Sequence, residues 1–253
     1  MINKQKEWIE NKKARIPHAV FDNFIDNKTC LKLYEECITA PKGGWTVFTR
    51  AGSRMEEFND LISTPTAHKV TYDLMHSGEM LYDLEQLTGI SGLIPDPHLV
   101  GTGFSIIRNG DMLGCHYDFN WNDRLRIHRT LTSLLFITPD WKEEWGGHHQ
   151  VWDKNKDTDS NAEMLGSVVP LFNRFVVKEN MWYEDDQRKG DWHSVSKVNC
   201  PDNIKGRCAI RFFYYLSTSE FNPKNPPHRS IYATNEYSHH KLYEERDQKD
   251  GQS

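Results

Sequence analysis

Apolar positions along the chain change their period near residue 98. Before that point helical spacing dominates: Leu31, Leu33, Tyr34, Cys37 and Ile38 fall on one face of a helix that Asp26 or Asn27 can cap and that Pro41-Lys42-Gly43-Gly44 stops. Thr64 before Pro65 predicts a cap and first helical position for a helix running to about His76. Ser77 predicts the cap of another, which carries Leu81, Leu84 and Leu87 and ends at Gly89. Residues 1–97 therefore read as a helical support region. From His98 the chain breaks into eight short runs separated by Gly, Asn and Asp: LVGTGFSIIR, MLGCHYDF, RTLTSLLFIT, HHQVW, GSVVPLF, RFVVKE, WHSVSKV and RCAIRFFYYLS. Such runs predict antiparallel strands in a sandwich or barrel over 98–218. The polar stretches 153–164 and 180–191 read as mobile loops. Residues 219–253 read as a tail packed on the surface or partly free, the three regions together making one structural domain.

Composition narrows the function. Thirty-one basic against 36 acidic side chains leave a net charge of −5, so no global positive field exists to hold nucleic acid or an anionic membrane. No run approaches 18 apolar residues and the charged amino terminus does not resemble a signal peptide, so a cytoplasmic protein is expected. Five cysteines with no C-x-x-C pair argue against a disulfide framework or a thiolate zinc site.

The first motif with chemistry in it is His116-Tyr117-Asp118. On a strand, residues i and i+2 share a face, so the imidazole and the carboxylate can grip one ion while Tyr117 points away. With 12 His and 19 Asp in the chain, about one such pair is expected by chance. A third ligand gives it weight. Two His and one carboxylate on one face of an iron leave three positions open, and His193, opening the run WHSVSKV, is the best candidate. Further on, Arg207, Ala209, Arg211 and Phe213 share a face of one strand, so a guanidinium can enter an apolar pocket, where a carboxylate would partner it.

Together these residues resemble the Fe(II)/2-oxoglutarate-dependent dioxygenases, and within them the prolyl-4-hydroxylase-like group. PHAVFDNFID, LTGISGLIPDPHLVGTGFSIIRNGDMLGCHYDFN, RTLTSLLFITPDWKEEWGGHHQVWD and PLFNRFVV are similar to that group's segments in order, spanning roughly residues 17 to 217. The resemblance implies a mainly β fold, a double-stranded β-helix (a jelly-roll or cupin-like barrel) with N-terminal helices. It implies Fe(II) bound by His116, Asp118 and His193, with Arg207 receiving the far carboxylate of 2-oxoglutarate. The resemblance further implies dioxygen as a co-substrate and ascorbate as an accompanying reductant. The activity implied is hydroxylation of an unactivated C–H bond in a prolyl, peptidyl or small-molecule substrate, with succinate and CO2 as co-products.

The chain departs from the group in two places. Neither 134–136 nor 106–108 carries the Tyr that supports the co-substrate carboxylate in many relatives, and His148-His149 follow the Gly146-Gly147 turn. Arg211, Trp192, His148 and Arg129 are the candidates for substrate contact. The blander readings set the pairs His148-His149 and His239-His240 in solvent, and Arg124, Arg126 and Arg129 on a solvated loop. Two other functions stand beside the enzyme: a non-catalytic metal-binding interaction module that retains the barrel, and a metal-dependent hydrolase or isomerase on a cupin-like barrel. Oligomeric state is left open.

Overall fold

Asp26 acts as its position before an apolar helical stripe predicts: its Oδ1 accepts from Thr29 N at 2.9 Å and starts a helix over Asn27–Thr39. Ser77 does the same for the Gly78–Thr88 helix, accepting from Met80 N, and Gly89 ends that helix in the left-handed region at φ 73°. Thr64 stands at its predicted place before the Pro65–Lys69 helix, but its hydroxyl donates to Leu61 O instead of capping. The cap comes from afar. Both oxygens of Glu36, on the first helix, accept from Thr66 N and Ala67 N, which fastens the two helices together. Beyond Lys69 the coil widens to a π-helical segment over Val70–Met75.

The computed structural model describes residues 7–8, 18–50, 52–184, 187–190, 192–217, 231–232 and 238–241. Each of the eight expected β runs contains a strand. The larger sheet runs, in order, His18–Phe21, Arg174–Glu179, Ile127–Phe136, Arg207–Leu216, Gly103–Ile107, Ser53–Phe58, Trp45–Arg50 and Ser238–Lys241. A smaller sheet has Met164–Val168, His149–Trp152, Trp192–Val195, Leu113–Tyr117 and Ile231–Tyr232. Pairing is antiparallel throughout.

Three expectations need correction. The first 97 residues are not a helical layer alone: the hairpin of Trp45–Arg50 and Ser53–Phe58 extends the larger sheet by pairing with Gly103–Ile107. Residues 180–191, read as a mobile loop, include a second hairpin, Met181–Glu184 with Gln187–Gly190. The tail adds a strand to each sheet, Ile231–Tyr232 beside Leu113–Tyr117 and Ser238–Lys241 beside Trp45–Arg50.

Alternation along Arg207–Leu216 divides the interior. Cys208, Ile210, Phe212 and Tyr214 face the helices, where Leu33, Cys37, Leu84 and Phe104 complete a core. Arg207, Ala209 and Phe213 face the other way, into the barrel, where Ala209 meets Phe136 and Val176. All five cysteines are buried thiols.

His76, just after the π-helical segment, is more than half buried, and burial pushes its pKa down to about 4 against the opposing pull of Asp96. The unfolded chain takes a proton near the ordinary value of ~6.5, so stability is full above that pH and is lost as pH falls toward 4. The urea midpoint should fall over this range. His76→Gln should make the fall shallower; an unchanged pH profile would remove His76 as a source.

Candidate metal centre and anion pocket

His116 lies on Leu113–Tyr117 and His193 on Trp192–Val195, and the two residues are direct partners across the strand pair. Their rings are 4.3 Å apart, and both residues are only 5 % exposed. The backbone orients the first ring: Nδ1 of His116 sits 2.7 Å from Gly114 O, which fixes the proton there and turns the Nε2 lone pair inward. Asp118 follows on the same face. Its Oδ1 is 3.8 Å from His116 Nε2 and 3.6 Å from His193 Nε2. One donor atom from each residue falls within 4.8 Å of the others, a set that can hold one cation. Among the described residues no other such group occurs.

The other oxygen of Asp118 is held by two cations, Arg129 Nη2 at 3.0 Å and Lys178 Nζ at 3.4 Å. Burial pushes the Asp118 carboxyl up, but Arg129, Lys178 and His193 outweigh it and hold it well below the usual range. Burial and His193 push His116 down to about 3, so its imidazole is neutral. An ionised carboxylate and a neutral ring are what a divalent ion requires of its ligands.

Arg129 is therefore not on a solvated loop. Its guanidinium lies 3.6 Å from the Phe213 ring and 4.3 Å from that of Phe119, and it also donates to Thr132 Oγ1 and Phe119 O. Arg124 and Arg126 are exposed, as expected.

Arg207 is 3 % exposed and lies over the Phe136 ring at 4.6 Å. Among the described residues neither its Nε nor its Nη2 has a hydrogen-bond partner. A buried cation left so is costly, and burial pulls its pKa down, with Arg211 pushing the same way. An anion set against the guanidinium would satisfy both nitrogens. The Gly-Gly turn makes room: a Cβ on Gly147 would press within 3.3 Å of Arg207 Cδ, and one on Gly146, at φ 69°, would stand 2.2 Å from Lys197 O.

The other candidates are used differently. Arg211 is committed to Glu57, with Asn59 Oδ1 at 3.5 Å. Trp192 stacks on Tyr117, ring centroids 3.7 Å apart. His148 turns outward, its Nε2 donating to Glu143 O and Nδ1 within reach of Ser167 Oγ. Its neighbour His149 overturns the solvent reading. His149 is 3 % exposed, inside the barrel, with its ring 5.2 Å from that of His193. The side chains of His239 and His240 lie outside the described residues.

Sequence reasoning missed Lys178 here and set His149 in solvent. Lys178 shares a strand face with Val176, and His149 shares one with Val151, so two-residue alternation points to both.

Residues 102–215 match the family model of the 2OG-Fe(II) oxygenase superfamily. Among solved structures, one similar chain is a prolyl hydroxylase from Trichoplax adhaerens, in complex with a hypoxia inducible factor oxygen degradation domain peptide fragment. It is 15% identical with a TM-score of 0.51, over 83% of this chain and 88% of that one. Another is a prolyl-4-hydroxylase from Pseudomonas putida, 13% identical with a TM-score of 0.50, over 85% of this chain and 100% of that one. At these identities the likeness is one of fold. Among curated proteins nothing matches the chain.

Proposed function

We propose, from the match of residues 102–215 to the 2OG-Fe(II) oxygenase superfamily, that this chain is an oxygenase of that kind and hydroxylates a prolyl residue of a peptide or protein. His116, Asp118 and His193 would hold Fe(II), and Arg207 would take the far carboxylate of 2-oxoglutarate. When bound, this group supplies the oxidising power that puts an oxygen atom into a C–H bond, with succinate and CO2 as co-products.

The observation that carries the reading is the pairing of two incomplete sites in one barrel. Three donor atoms lie close together, and a buried guanidinium has two nitrogens without a hydrogen-bond partner among the described residues. A dicarboxylate that chelates the metal at one end completes both. Arg129 and Lys178 keep Asp118 ionised, and the Gly114 carbonyl keeps the His116 lone pair turned inward. Phe119, Phe136 and Phe213 cover the cations with apolar surface, which excludes water from the charged groups.

The peptidyl substrate is supported by the prolyl hydroxylase fold, one example of which is bound to a peptide fragment. We place the protein in the cytoplasm, a reducing compartment that suits its buried thiols. No described helix is long and apolar enough to cross a membrane.

The test is anaerobic addition of Fe(II) and 2-oxoglutarate, followed by air. A weak visible charge-transfer band should form under nitrogen and be absent in His193→Ala. On exposure to air, succinate should rise above its basal rate with a proline-containing peptide panel. Absence of the band in the native protein would sink the metal assignment. Stimulation by small molecules and not by peptides would sink the substrate class.

A further inference from the structure

We infer that His149 is a second donor to the co-substrate, holding the carboxylate at the metal end while Arg207 holds the far one. The inference rests on the proposed 2-oxoglutarate reading and names a residue of the same pocket.

His149 is buried, and among the described residues its Nε2 has no hydrogen-bond partner. A buried polar nitrogen left without a partner destabilises the fold, and an apolar side chain would fill the same space without that penalty. The fold alone therefore gives no reason for an imidazole here. Arg207, with Nε and Nη2 also lacking partners, poses the same problem in the same interior. Both are solved by one anion.

Position selects which part of that anion His149 meets. Along this segment Gly147 abuts the Arg207 side chain, and Val151 is the strand partner of His193. His149 lies between them and is itself the partner of Val195, so its ring is one step along the same face from the metal-binding imidazole. The rings of His149 and His193 are 5.2 Å apart, a contact that puts His149 at the metal end. It is not a further ligand, because among the described residues the donor atoms that gather within 4.8 Å are those of His116, Asp118 and His193. An imidazole nitrogen in that position can offer an N–H to a carboxylate oxygen, and the Nε2 of His149 is the one without a partner among the described residues. The chain has no Tyr at 106–108 or 134–136, and His149 supplies a donor to the co-substrate from a different strand.

The experiment uses the full chain loaded with Mn(II), which is redox-silent, and measures binding of 2-oxoglutarate and of oxalate by calorimetry. Oxalate presents the metal-end carboxylate chemistry without a far carboxylate. His149→Leu should weaken both ligands by about ten- to hundredfold, the range for a lost hydrogen bond to a charged group. His149→Gln, which keeps an N–H donor, should recover much of the loss. Mn(II) affinity should stay native in both variants, and metal-free His149→Leu should unfold no more easily than the native chain. Unchanged ligand affinities would overturn the inference. So would loss of 2-oxoglutarate with oxalate intact, which would move His149 to the far end, or loss of Mn(II) in both variants, which would make it a support of the metal. A native protein that binds Mn(II) but not 2-oxoglutarate would instead overturn the proposed function itself.

Discussion

Replacing Arg207 with leucine is expected to weaken 2-oxoglutarate binding to the metal-loaded protein by at least thirtyfold, while the metal-free fold becomes no less stable. The two halves of this expectation have one cause. In the protein without co-substrate the guanidinium is buried over Phe136, with Nε and Nη2 lacking hydrogen-bond partners among the described residues, so its burial is uncompensated. In the proposed complex that same guanidinium would meet a carboxylate, and removing one member of such a buried pair costs roughly 2–5 kcal/mol, or about thirty- to several-thousandfold in affinity. Arg207→Lys should fall between, since it keeps the charge and loses the planar fork. Arg211→Leu is the control. Its guanidinium is already committed to Glu57, so calorimetry should show 2-oxoglutarate binding within a few-fold of native. Strong loss in Arg211→Leu with little in Arg207→Leu would move the anion to Arg211.

What can be read from the chain follows the reach of local rules. Helix ends at Asp26, Ser77 and Gly89 are legible because a cap is a contact within a few residues. The helix after Thr64 is legible in place but not in mechanism, because its capping carboxylate is Glu36, brought there by tertiary packing. Strand alternation identifies the His116 and Asp118 face, and it also contains Lys178 and His149, once each is counted from a neighbour already known to face inward. The Trp45–Phe58 hairpin escapes the same rule because its burial alternates only loosely, although Gly52 marks its turn at φ 75°. Arg129 is legible only as a candidate substrate contact, and its place beside Asp118 is not legible at all. The inward positions on its strand are Leu134 and Phe136, and strict alternation would send Arg129 to the other side. A register shift opposite Tyr214 and Tyr215 breaks the alternation and lets Arg129 reach Asp118. A bulge is a property of two paired strands, and one strand's sequence does not announce it.

Arg129 therefore offers a sharp test of how the metal site is supported. Arg129→Met is expected to lower the stability of the metal-free protein by roughly 3–5 kcal/mol, the cost of leaving one member of a buried ion pair behind. Lys178 remains at 3.4 Å from Asp118 and places the loss toward the lower end. Apolar packing alone would not give this result, because methionine fills much of the space between the Phe119 and Phe213 rings. The decisive measurement is a double-mutant cycle with Asp118→Asn, read by urea unfolding without metal. If Arg129 acts through the charge of Asp118, its replacement should cost far less in the Asp118→Asn background, because there the arginine is itself a buried cation without its carboxylate. Equal losses in both backgrounds would reduce Arg129 to a packing residue. Metal affinity gives the second readout: with Asp118 intact, Arg129→Met should weaken Mn(II) binding by about ten- to a hundredfold, the usual effect of removing a group that orients a ligand. Native affinity in that variant would show that Lys178 alone holds the Asp118 carboxylate in place.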